Sequence, residues 1–169
     1  MIGSFELNSI CGSFYKDGNI VFSPNKNVLF SAVNNRIKAI DLETNITQVL
    51  DSEARSDIKI LAISPDSKIL IAVDSEGYAI IINLITSKTI SHFNFKARVT
   101  SLKFSPNGLF LAVSCDVSFR IFEAPSLWRS FETLLQYKKF KGSHSESIID
   151  LAWSPDSKFI VTSSKDLTV

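Results

Sequence analysis

The stretch ILAISPDSKILIAV, residues 60–73, decides the fold, because two apolar runs of strand length meet in it at a Ser-Pro-Asp turn. Proline presets the first turn position, and the short polar residue after it tolerates the second. The flanking residues are apolar and largely β-branched, as in strands buried within a sheet. Working outward, the same unit returns as IVFSPNKNVLFSAV (20–33), SLKFSPNGLFLAV (101–113) and DLAWSPDSKFIVTSS (150–164). The turn serines are Ser23, Ser64, Ser105 and Ser154, spaced 41, 41 and 49 residues apart. A period of roughly 40–45 residues suits one four-stranded propeller blade per repeat. Four of the five prolines serve this one turn, so the chain spends its proline on punctuation.

A third strand closes each unit, in IKAIDL (37–42), AIIINL (79–84) and FRIFEA (119–124), and a variable polar stretch follows in which a fourth strand is expected. The repeats then fall at about 14–42, 56–84, 97–124 and 142–169, with a longer connection over 125–141, in a partial propeller that takes in residues 1–169. Hydrophobic residues make up 45% of the chain and thirteen residues are Phe, ample material for an all-β core. The net charge of +1 supplies no overall field toward nucleic acid or an anionic membrane. Cys11 and Cys115 stand far apart and outside any Cys-x-x-Cys pair, so neither a zinc site nor a disulfide framework is expected. The N-terminus lacks the basic start and unbroken apolar stretch of a signal peptide, and the apolar run near 79–82 is strand-sized, so no membrane span is expected. The sequon Asn45-Ile46-Thr47 is then idle.

In its last unit, GSHSESIIDLAWSPDSKFIVTSSKDLTV, the chain resembles the WD-repeat family. His144 precedes Ile148 by four residues and Trp153 by nine, and Asp166 opens the turn before Thr168 and Val169. The resemblance implies a structural blade lock of His144, Asp166 and a strand hydroxyl, Thr162 or Ser164. Earlier units depart from the pattern: Ile40, Ile82 and Phe122 stand where the family has Trp, followed by Asp41, Asn83 and Glu123, and Lys26 stands where a turn glycine is usual. Apolar packing is expected to replace the polar lock there. Val169 falls inside the third strand of the last unit, and three blades with part of a fourth cannot close a ring of about four to eight. The expected architecture is therefore an incomplete WD-repeat β-propeller, the truncated N-terminal part of a larger one, with unclosed flanks exposing strand edges and apolar surface.

A more specific resemblance within the family runs through residues 5–42, with Cys11-Gly12, Tyr15, Gly18-Asn19 and Asn34-Asn35-Arg36, and through ISHFNFKARVTSLKFSPNG (90–108) and FEAPS (122–126). It points to tandem-propeller subunits of the UTP-B subcomplex of the small-subunit processome. What it implies is a scaffold in pre-rRNA processing toward 18S rRNA, located in the nucleus and nucleolus, whose partners are other UTP-B subunits and the pre-rRNA ribonucleoprotein particle.

No catalytic, cofactor or metal constellation emerges, and no small-molecule substrate is implied. His92 and His144 are the only histidines, neither beside a recognisable nucleophile, and the six glycines are too scattered to cradle phosphate. Asp66, Asp74, Asp156 and Asp166 recur at turns, where carboxylates accept local backbone bonds. Two features are candidate partner contacts. In the long connection, Trp128, Phe131 and Leu135 suit one face of a short helix, or the segment is the outermost strand followed by a loop. Beside them, Arg129, Tyr137, Lys138, Lys139 and Lys141 set aromatic among basic residues, as RNA backbone contact with stacking requires; a solvated edge strand guarded by lysines is the simpler account. The alternatives to the processome scaffold are a WD scaffold of a vesicle coat or a transcriptional co-repressor, a propeller linked to a hydrolase domain elsewhere, and a direct RNA-binding module.

Overall fold

In the computed structural model, which describes residues 18–127, 134–142 and 144–169, the chain is all-β. The first sheet is β1 (Ile20–Phe22), β2 (Val28–Val33), β3 (Arg36–Asp41) and β4 (Thr47–Glu53). The second is β5 (Ile58–Ile63), β6 (Ile69–Asp74), β7 (Tyr78–Asn83) and β8 (Lys88–Asn94). The third is β9 (Val99–Phe104), β10 (Phe110–Cys115), β11 (Ser118–Glu123) and β12 (Gln136–Phe140), and β13 (Ile148–Trp153) with β14 (Ile160–Ser164) forms a two-stranded hairpin. Every sheet is an antiparallel meander in which each strand pairs with the next in the chain. The polar stretches thus supply fourth strands, and the partial propeller architecture holds. Thr168 and Val169 follow β14 without forming a third strand of the hairpin; the backbone bond of this stretch runs from the Ser164 amide to the Thr168 carbonyl, 3.2 Å.

The Ser-Pro unit builds the same turn four times. At Ser64 the amide reaches the Ile69 carbonyl at 2.9 Å, the Ser67 amide closes on the Ser64 carbonyl at 2.9 Å, and the hydroxyl accepts from the Ile69 amide at 3.0 Å while donating to Asp66 at 2.6 Å. Ser105 repeats the pattern with Phe110 and Asn107, and Ser154 with Phe159 and Asp156. Ser23 pairs likewise with Val28 and Asn25. The fourth turn residue is left-handed each time: Lys26 (φ 60°), Ser67 (φ 59°), Gly108 (φ 72°) and Ser157 (φ 60°). Only glycine adopts that backbone without steric cost.

Packing is blade on blade. Leu70, Ala72, Ile80 and Ile82 of the second sheet meet Phe30, Ala32 and Ile37 of the first. Ile69, Ile71, Val73 and Ile81, on the opposite face, meet Val99, Leu102, Leu111 and Val113 of the third. A sheet covered on both faces needs apolar residues at successive positions, which is why β6 is buried from end to end and why residues 69–73 do not alternate. Residues in or next to the innermost strands also bond across the seams. The Asn19 side chain bonds both the amide and the carbonyl of Leu61, at 2.6 and 2.8 Å, and the Trp153 indole donates to the Lys103 carbonyl at 3.1 Å.

Candidate functional site

The candidate residues fall in two places. His144 lies in the loop entering β13. Its Nε2 is 2.8 Å from the Thr162 hydroxyl on β14, and its Nδ1 is 2.8 Å from the Thr168 hydroxyl and 3.3 Å from Asp166. Asp166 in turn accepts the Thr168 hydroxyl at 2.6 Å and the Ser145 and Thr168 amides at 2.8 and 3.0 Å. The Thr168 hydroxyl, followed by these amides and the Ser164 hydroxyl, holds the Asp166 carboxyl far below the usual carboxylate range. Ser164 does not reach the histidine: its hydroxyl donates to the Glu146 carbonyl at 2.9 Å. The structure therefore brings His144, Thr162 and Asp166 together and places Ser164 on the adjoining backbone. Thr168 was missed among the candidates, though its Asp-x-Thr spacing to Asp166 is a readable turn signal. With both ring nitrogens turned toward hydroxyls, His144 is occupied in holding the loop, the strand and the turn to one another.

In the other blades apolar residues take over. His144 stands four residues before Ile148; the corresponding residue before Val99 is Phe95, and before Ile58 it is Ala54. Phe95 meets Phe122, in the tryptophan position, edge to face at 5.5 Å, with Phe93 at 5.0 and 5.7 Å from the two. Three rings in this geometry supply large buried area and favourable quadrupole contacts without any polar bond.

The second candidate is β12, the outer strand of the third blade. Tyr137, Lys138 and Lys139 on this strand and Lys141 just after it are all exposed, while Arg129, like Trp128, Phe131 and Cys11, lies outside the described residues. Lys138 sits 4.7 Å over the Phe140 ring, which stacks on Phe119 at 4.4 Å. Tyr137 leans on Phe110 at 5.2 Å, and Phe110 stacks on Trp153 at 6.5 Å. The strand thus joins exposed cations to rings, on an edge whose outward backbone groups are unpaired among the described strands.

Chemistry is sparse elsewhere. Asp41, Asp66, Asp150 and Asp156 all have their carboxyls lowered. For Asp41 the Thr44 amide leads and for Asp156 the Ser154 hydroxyl; for Asp66 and Asp150, partial burial opposes the shift and serine hydroxyls with nearby amides and lysines outweigh it. Burial pushes the Cys115 thiol up, away from a reactive thiolate. Among the described residues no cluster of His, Cys, Asp and Glu is arranged to hold a metal ion.

Comparison with known proteins adds relatives to this geometry. The WD domain, G-beta repeat family model matches residues 86–122 and 135–169. The Periodic tryptophan protein 2 homolog of Schizosaccharomyces pombe is 34% identical over 97% of the chain, and Periodic tryptophan protein 2 of Saccharomyces cerevisiae is 34% identical over 99%. The chain spans 19% and 18% of the lengths of these two curated relatives. Among solved structures, a chain of the mitotic checkpoint complex superposes with a TM-score of 0.74 at 20% identity, over 89% of this chain and 46% of that one, a likeness of fold alone.

Proposed function

The chain belongs to the WD-repeat family, and from that premise we propose that it is a non-catalytic scaffold of ribosome assembly, acting within the UTP-B part of the small-subunit processome during maturation of 18S rRNA in the nucleolus. The observation that carries this reading is similarity to Periodic tryptophan protein 2 along nearly the whole chain, including the blades in which the ordinary WD signature has decayed. A generic WD match would weaken in those blades.

The physical character of the molecule supports a scaffold. Its polar side chains are spent on turns and loops, and its sheets stack into a rigid core that displays loops and edges. Partners in this reading are other UTP-B subunits and the pre-rRNA particle, with β12 offering Tyr137, Lys138, Lys139 and Lys141 to RNA. Affinity purification of the tagged full-length protein from growing cells, with depletion followed by assay of 18S precursors, tests it. Recovery of UTP-B subunits with accumulation of unprocessed precursor is the expected result. Normal processing with an unrelated partner set would overturn it and leave a WD scaffold of another assembly, such as a vesicle coat or a co-repressor.

A further inference from the structure

The innermost strands β5, β9 and β13 share an irregularity. Each carries one residue more than its partner strand where it begins: Lys59, Thr100 and Ile149 are passed over in the pairing with β6, β10 and β14. A bulge of this kind re-aims the extra side chain. At the seam between the third blade and the β13–β14 hairpin, Thr100 and Ile149 line a single pocket together with Arg98, Asp116, Ser147 and Lys165.

Its chemistry is lopsided. Arg98 and Lys165 are exposed, and neither head group has an acidic partner among the described residues. Asp116, the one acid of the wall, already accepts the Ser147 hydroxyl at 3.3 Å, and the Thr100 hydroxyl is engaged with Ser114 at 2.8 Å. Ile149 remains 55% exposed beside the two cations, although it lies at the start of an inner strand. Two cations without acidic partners next to one exposed aliphatic side chain complement a carboxylate with an aliphatic neighbour. Single-stranded nucleic acid fits less well, since it asks for ring faces and a track of cations, whereas this wall has no aromatic residue.

We propose that this pocket docks an acidic peptide of a protein partner, its carboxylate received by Arg98 and Lys165 and an adjoining aliphatic side chain resting on Ile149. The site is independent of the assembly proposed above. The test uses the full-length protein, fluorescence anisotropy and three probes: fluorescein-labelled Gly-Glu-Leu-Glu-Gly, its Gly-Gln-Leu-Gln-Gly counterpart, and a labelled oligouridylate of about ten nucleotides. The acidic peptide is expected to bind well above the Gln peptide, and Arg98→Gln and Lys165→Gln are each expected to weaken it about fivefold, the loss of one exposed charge contact, with thermal midpoints unchanged. Lys165 lies on an exposed turn, so its variant carries the test if Arg98→Gln does not fold. Equal binding of the two peptides, or acidic binding untouched in the folded variants, would overturn the proposal. Oligouridylate binding lost in the same variants would overturn it in favour of a nucleic-acid surface.

Discussion

Ser67 holds a backbone conformation that its own Cβ disfavours, at φ 59°, in a turn whose fourth-unit equivalent is Ser157 and whose third-unit equivalent is Gly108. Glycine there relieves about 1–2 kcal/mol of steric cost and gives back about 0.5–1 kcal/mol in unfolded-chain entropy. Ser67→Gly is therefore expected to stabilise the protein by about 0.5–1 kcal/mol in urea unfolding, without changing the slope of the transition. Thr162 poses the opposite case. It is buried, and its hydroxyl is bonded to His144. Thr162→Val keeps the shape and removes the partner, leaving one ring nitrogen unsatisfied, so a loss of about 1–3 kcal/mol is expected by the same measurement. This bond was expected only through the resemblance to WD repeats, which left the choice between Thr162 and Ser164 open. Both are buried residues of β14 two positions apart, so burial and alternation do not choose between them.

Among the elements, β6 is the one whose loss the molecule would feel most. Ile71 is fully buried, and Ile71→Ala removes three side-chain carbons from the face that meets the third blade. The expected cost is about 2–5 kcal/mol, read as a lower urea midpoint. Elements of this kind were readable in the sequence because burial on both faces writes an unbroken apolar run. The fourth strands were harder to read, for a physical reason. In β4 only Leu50 and Ser52 are buried, and β12 is exposed over nearly its whole length, so neither carries a core period; each exists because a free edge precedes it. The lysines of β12 suit that position, since an exposed edge of apolar residues would template pairing with other chains.

For the whole molecule, acidity is the condition that tests the polar turns together. Asp41, Asp66, Asp150, Asp156 and Asp166 all hold their protons less tightly when folded than an ordinary carboxyl does. Folded values below unfolded ones mean that the unfolded chain binds more protons, so the stability these groups provide is complete above the unfolded value of about 4 and is lost as pH falls below it. Urea midpoints are expected to stay level from about pH 5 to pH 7 as far as these groups are concerned and to fall steeply below about pH 4, with Asp166→Asn less stable at neutral pH and its decline shallower. A flat profile through the acid range would show that the turns contribute nothing through their charges.

The buried Ser-Pro turns also bear on covalent marking. Ser-Pro is the minimal dipeptide addressed by proline-directed kinases, and this chain offers it at Ser23, Ser64, Ser105 and Ser154. In the folded blades, however, Ser64 and Ser105 are 5% and 0% exposed, and each hydroxyl is held between a backbone amide and the side chain two residues on. A phosphate at Ser64 would also be driven against Asp66, like charge on like. Ser64 and Ser105 are substrates only while the chain is unfolded, so phosphate found on either would date its own addition to the interval between synthesis and closure of the blade.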